Sequence, residues 1–543
     1  MSSNSSRRDS FPTRQYSYRP KEEASSAPAT FGEAAGVALQ PGVYRFRLGR
    51  DIEPQPLSSE EITASLHDPF ARLVLLSGKL PSTLRGLLAV LEATNSLDDG
   101  LPQQGSFVVA DGGQIPWTPG TEDVARQFRF LITRGRNGKM PDLFVSTSRE
   151  IDSPSTFLQV VGWDPINGAF QFYDRREQAW IWAGSSWDAL EAETRGRGPF
   201  DSHVNGALTM KELKQPWINW HSMAATIDSE LASDDPLRSE PIWRNRRGAE
   251  RLEQEVIRPN IQRWTDSRFE HRTVGGNISR LRELMGQILD TTTINLIASP
   301  DESSRLHAGE PIHLPLTFFI NSDALFNLLD LSPDIAVPAI DGGIYQDCLM
   351  KFEVALTDGA HKFPGDTHFA FAVPEVAFED IAVLKGLLGG VFTPKLVAAL
   401  LMVDFCNPVF SRRRAALIRY IPETAQVGAP DTFATAFTRA VESGAAGLSA
   451  DSPEQEFLAN WRLAENGWKA SFEGRIKDFF DALELKLRGL DSFSDIFRIA
   501  ESRRREFRRR PLAEFRLTTP ITNIPEDSPF LEFMPDASVR AKA

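Results

Sequence analysis

Hydrophobic and polar positions fall into two rhythms along this chain, a strand-like one first and a helical one later. VYRFRLG (43–49) alternates apolar and polar residues and predicts a strand. The segment 69–93, PFARLVLLSGKLPSTLRGLLAVLEA, has helical periodicity, with Pro81 separating two short helices. A run of strand signals follows. QFRFLIT and DLFVSTS flank a turn holding Asn137–Gly138, and TFLQVVGWD and AFQFYDR flank Pro165-Ile166-Asn167-Gly168, with AWIWAG close behind. Asn-Gly between alternating apolar runs is a strong hairpin signal. These segments predict an antiparallel meander of about five strands over 127–183. Phe170 and Phe172 would share one face, as would Trp180 and Trp182 on the next strand, because side chains repeat every second residue.

Farther along, a charged stretch reaches to about residue 290 and reads as helical and largely solvent-facing. TTINLIA, HLPLTFFI, MKFEVALTD and HFAFAVPEV then predict further strands over about 292–375. From Phe378 the pattern is helical. Phe457, Trp461, Ala464, Trp468 and Phe472 mark one stripe, and Ile476, Phe480, Leu483 and Leu487 another, both at the spacing of a helix buried along one face. The expected class is α+β, with a predominantly helical C-terminal part. The expected organisation is a disordered tail (1–40), an α+β region with the meander and a tryptophan-rich segment (41–290), a β-rich then helical region (291–425) and a helical C-terminal region (426–543).

Composition narrows this picture. The tail is rich in Ser, Arg and Pro and too polar to build a core. It also has no apolar run of a secretory signal; its spread arginines raise an organelle presequence as the alternative, which Asp9, Glu22 and Glu23 oppose. The chain has 60 basic and 73 acidic residues, a formal charge of −13, which disfavours general nucleic-acid binding. Two cysteines, Cys348 and Cys406, are too few for a disulfide framework and fit a reducing, cytoplasmic setting. The most apolar stretch, 382–403, carries Lys385, Lys395, Pro394 and paired glycines, so it predicts two buried helices and a turn rather than a membrane span.

Candidate chemistry concentrates in two places. The chain holds eight histidines and eleven tryptophans, and nine of the tryptophans lie from Trp117 to Trp264. Within that zone, GPFDSHVNGALTMKELKQPWINWHS places His203, Glu212 and His221 around Trp217 and Trp220. If the fold closes the intervening turn, these three could converge on a substrate proton or a metal, with the tryptophans lining an apolar wall for a cofactor. Asp201 or Asn205 could fix the His203 tautomer. The plainer alternative is a core histidine among core tryptophans. The second place is GAHKFPGDTHFAFAVPE, where His361, Asp366 and His368 offer two imidazoles and a carboxylate, the ligand set of open iron sites. Its order reverses the usual His-x-Asp arrangement, and a hairpin turn at Pro364-Gly365 is the structural alternative.

The runs ESRRREFRRR (501–510) and Arg412–Arg414 read as solvated helix ends, with an acidic or phosphate-bearing partner as the functional alternative. No phosphate-binding loop, dinucleotide fingerprint or nucleophile elbow occurs in the sequence. The expectation is an enzyme acting on a small, partly apolar molecule, of the metal- or haem-dependent oxidoreductase or oxygenase type with iron or haem as cofactor. The alternative is a non-catalytic binding or assembly protein whose Trp and His residues are structural. The expected partners are a small-molecule substrate and, if it self-associates, a second copy of the chain.

Overall fold

The computed structural model describes residues 39–111, 127–136, 140–201, 203–208, 233–289, 308–314, 316–358, 361–364, 379–508 and 521–542. The 1–38 part of the expected tail, the Asn137–Gly138 turn, TTINLIA and HFAFAVPEV lie outside these residues.

Strands β1 (Gly42–Arg45), β2 (Gln55–Pro56), β3 (Gln103–Asp111), β4 (Gln127–Gly135), β5 (Leu143–Ser148), β6 (Leu158–Asp164), β7 (Ala169–Arg176) and β8 (Ala179–Ser185) form one mixed sheet in the order β2-β1-β8-β7-β6-β5-β4-β3. The five-strand meander is there as β4 to β8, every neighbouring pair antiparallel. It is extended at one side by β3 and at the other by β1, which pairs parallel with β8 from Gly42↔Ala179 to Arg45↔Trp182.

The sheet is buried on both faces, and the two-residue period decides which side chains go where. On one face Phe128, Phe130, Leu143, Val145, Val160, Tyr173 and Trp180 pack under helices α1 (Ser59–Ser65) and α2 (Leu84–Ala93) and the helical turn Ala71–Leu75 between them. Pro81 separates that turn from α2, and Thr83 caps α2 by accepting from the Gly86 amide at 3.1 Å. On the other face Phe144, Val161, Trp163, Phe170 and Phe172 pack under the helix Arg258–Arg272 through Ile261 and Trp264. The predicted face-sharing of Phe170 with Phe172, and of Trp180 with Trp182, is observed.

That helix corrects the solvent-facing expectation for this stretch. Its sequence is polar, yet Asn260, Ile261, Trp264, Arg268, Phe269 and Arg272 are all buried. Burying one tryptophan removes roughly 200 Å² from water, about 5 kcal/mol by area, enough to dock a helix that is otherwise hydrophilic. The arginines follow by lying over aromatic rings, Arg268 over Trp264 and Arg272 over Trp187, while Arg272 pairs with Glu283 at 2.5 Å.

A second, largely helical core runs from Phe269 to Ala537. Residues 382–403 are two helices, Glu379–Leu388 and Pro394–Leu401, turned at Gly389–Gly390, as the sequence predicts. No helix among the described residues is long and apolar enough to cross a membrane. Three expectations change. HLPLTFFI is not one strand: among its described residues only His313 belongs to a strand, Pro311–His313, and Leu316–Phe318 is a helical turn. In MKFEVALTD the strand is confined to Ala355–Asp358, because Met350 and Lys351 end the helix Gly342–Lys351. The stripe from Phe457 to Phe472 is divided between Pro453–Trp461 and Trp468–Leu487, with Gly467 preceding the second helix.

Several arginines of the two runs depart from the solvated expectation, although Arg412 is exposed. Arg503 is buried and donates to the Phe318 carbonyl at 2.6 Å, and Arg505 donates to the carbonyls of Ser528 (2.6 Å) and Pro529 (3.3 Å). Burial lowers the Arg503 pKa to about 10. Arg414 is likewise buried, while Arg413 pairs with Glu456 at 2.8 Å.

Candidate functional site

The first candidate residue, His203, follows the turn Gly198–Asp201 on the sheet face that the Arg258–Arg272 helix covers. Its amide donates to Pro199 O at 3.1 Å, and its carbonyl accepts from Gly206 N at 3.0 Å. The ring lies 5.1 Å from that of Phe172, which also meets Phe200 edge-on at 5.3 Å. Nδ1 is 3.2 Å from the Ala207 carbonyl. A carbonyl only accepts, so Nδ1 carries a proton. The tautomer is therefore set by the backbone of Ala207 rather than by Asp201 or Asn205.

Two contacts hold the turn, one from the end of β8 and one from the covering helix. Ser186 Oγ donates to Gly206 O at 2.7 Å, and Trp264 Nε1 donates to Asn205 O at 2.9 Å. Asn205 has φ 57°, and Gly206 has φ 70° with space for no side chain, since a Cβ there would stand 2.4 Å from Ser186 O. Glu212, Trp217, Trp220 and His221 lie outside the described residues.

For the second candidate, His361 opens a strand, His361–Pro364, paired antiparallel with Ala355–Asp358 so that Asp358 faces His361. Pro364, which the sequence offers as part of a hairpin turn, is the last residue of this strand. Asp366 and His368 lie outside the described residues. Among the described residues no group of three or more His, Cys, Asp or Glu gathers in metal-holding geometry. Both thiols are buried, and burial pushes Cys348 up to about 11 and Cys406 higher still, so neither is a thiolate at neutral pH.

Most of the tryptophan zone that is described serves as packing. Trp163, Trp180, Trp243 and Trp264 are buried. Ring N–H groups are used on carbonyls, Trp180 on Pro81 at 3.1 Å and Trp187 on Asn167 at 3.0 Å.

A polar cluster that the sequence reading missed lies on the opposite face. Asp68 and Asp164 are both fully buried. Asp68 Oδ2 accepts from the Tyr173 hydroxyl at 2.5 Å, and its Oδ1 accepts from the amides of Phe70 (2.9 Å) and Ala71 (3.3 Å). Asp164 accepts from the amides of Ile166 (3.0 Å), Asn167 (2.9 Å) and His67 (3.0 Å), and from the side chains of Asn167 (2.7 Å) and Gln171 (3.2 Å). Trp182 Nε1 completes the chain by donating to Gln171 Oε1 at 2.8 Å. Burial pushes the Asp68 carboxyl up to about 6, with the Asp164 charge adding to the rise against the pull of Tyr173 and two amides. Burial, and then the Asp68 charge, hold the Tyr173 hydroxyl well above its ordinary value. The one sequence signal is that both carboxylates stand in Asp-Pro steps, Asp68-Pro69 and Asp164-Pro165, where a carboxylate readily caps the following turn.

Compared with protein-family models, curated proteins and solved structures, the chain matches none.

Proposed function

We propose that the chain is an enzyme acting on a small, partly apolar molecule, with His203 as its proton-transfer group. The observation that carries this reading is the bond from His203 Nδ1 to Ala207 O, 3.2 Å, on a turn tied down from two sides. A backbone carbonyl that orients an imidazole through Nδ1 is the arrangement by which a histidine is set to act through Nε2 as a base or a metal ligand. Phe172 and Phe200 supply apolar surface beside the ring. The same proposal assigns Glu212 and His221 to proton transfer, Trp217 and Trp220 to a cofactor wall, and His361, Asp366 and His368 to a metal, with iron or haem chemistry as the class to test first. Cytoplasmic residence belongs with it.

A second reading, a binding or assembly protein with structural Trp and His, is favoured by one observation. Trp163, Trp180, Trp243 and Trp264 are spent on the two cores of the sheet. Metal analysis and an absorption spectrum of untagged protein separate the two, followed by His203→Gln, His361→Ala and His368→Ala with folding checked by circular dichroism. A stoichiometric metal or chromophore lost from folded His361 and His368 variants supports the metal enzyme. A metal-free, colourless protein leaves acid–base chemistry at His203. If His203→Gln then turns over substrate as the parent does, His203 is not the proton-transfer group; a parent that binds candidate molecules and turns over none overturns the enzyme reading.

A further inference from the structure

At the segment His67–Phe70 the N-terminal helical layer is fastened to the sheet through two buried carboxyl groups. Asp68 starts the turn Ala71–Leu75 with one oxygen and grips Tyr173 of β7 with the other. Asp164, at the end of β6, holds the amide of His67. Gly162 of β6 makes the room, since a Cβ there would lie 2.3 Å from Asp68 Oδ1.

The charge balance of this joint is unusual. Among the described residues, the only ionic contact of either carboxylate is His67, whose Nδ1 stands 3.6 Å from Asp164 Oδ2. That Nδ1 is buried with no hydrogen-bond partner. Arg72, on the next turn, is committed to Asp99 at 3.1 Å. Asn167 and Gln171 donate to Asp164 but carry no charge, and Tyr173 keeps its proton. A buried carboxyl beside a second carboxylate and without a permanent cation, as Asp68 is, holds a proton more tightly than it would in water.

We propose that residues 59–93 are held to the sheet by a proton-dependent catch, in which Asp68 takes up a proton as the helical layer docks, so that the layer seats more firmly in mildly acidic solution than at neutral pH. The sign follows from linkage. The docked carboxyl lies at about 6 and the ordinary value is 3.8, so the docked state binds the proton more tightly. The contribution is fully present below 3.8 and is lost as pH rises through about 6. This is the reverse of a salt-bridged carboxylate, which loosens in acid. With these two values the docking equilibrium rises about tenfold between pH 7.5 and pH 5.

Hydrogen exchange of the full-length protein, read by mass spectrometry on peptides from 59–93 and corrected for intrinsic exchange rates, tests this. The expected result is protection about tenfold higher at pH 5 than at pH 7.5 in the parent, and nearly flat with pH in Asp68→Asn, which keeps the shape but cannot titrate. A parent profile that is flat or falls in acid overturns the proposal, as does an equal rise in Asp68→Asn. Should Asp68→Asn not fold, infrared difference spectra of the parent decide. A protonated buried carboxyl band growing with a midpoint near pH 6 supports the catch, and its absence over that range refutes it.

Discussion

Replacing Arg414 by methionine should destabilise the C-terminal core by about 3–5 kcal/mol. The loop from Val403 to Ser411 is almost wholly buried yet has no strand or helix to pair its backbone. Asp404 and Phe410 take left-handed conformations, φ 53° and 54°, which non-glycine residues adopt only under constraint. Arg414, 1% exposed, supplies that constraint. Nη1 donates to Val403 O (3.2 Å) and Asp404 O (3.1 Å), and Nη2 to Asn407 O and Pro408 O, both at 2.7 Å. Each orphaned buried carbonyl costs about 1–3 kcal/mol if nothing moves. Asp404 O keeps the Asn407 amide at 3.0 Å, and the loop will partly relax and admit water, so these costs do not add over four carbonyls. The cost of removing one partner from a buried charged network, about 3–5 kcal/mol, is therefore the better guide. Methionine preserves the apolar stem, so packing changes little. Arg414→Lys retains a charge but not the fork, and should lose about half as much. A chain of this size unfolds in stages, so the assay is native-state hydrogen exchange over 403–411 together with the urea midpoint. A methionine variant within about 0.5 kcal/mol of the parent, the range of ordinary surface changes, would refute the assignment of this loop to Arg414.

Gly162→Ala should cost about 1–3 kcal/mol by overpacking against Asp68, and exchange in 59–93 should rise more than in the C-terminal helices; equal effects in both would place the damage elsewhere. Gly206→Ala, at φ 70° and 2.4 Å from Ser186 O, should displace the turn that aims His203. The expected outcome is a change in His203 ring resonances by NMR at a cost of about 1–3 kcal/mol, and an unchanged ring environment would count against the anchoring described.

How much of the two candidate sites was legible divides along similar lines. His203 was visible as a histidine in a Gly-Pro turn, but the group that fixes its tautomer was not, because a backbone carbonyl leaves no trace in residue types. The Asp68–Tyr173 contact joins positions 105 residues apart. Nothing near either residue marks it beyond the Asp-Pro step.

The sequence by itself determined what depends on neighbours in the chain. The meander follows from two-residue alternation, and the β6–β7 hairpin from Pro165 to Gly168, where Asp164 and Ala169 close the pair. The breaks at Pro81 and Gly389–Gly390 follow from backbone chemistry. Tertiary structure alone decided the fate of the polar residues. Arg503, Arg505 and Arg414 read as parts of solvated charge runs, but each donates to main-chain carbonyls of other segments. The helix Arg258–Arg272 reads as a surface helix, but Trp264 and the rings beneath it carry its arginines inward. The parallel pairing of β1 with β8 likewise has no local signal. Periodicity reports the direction a side chain faces, whereas the burial of a charge is settled by which distant groups can satisfy it.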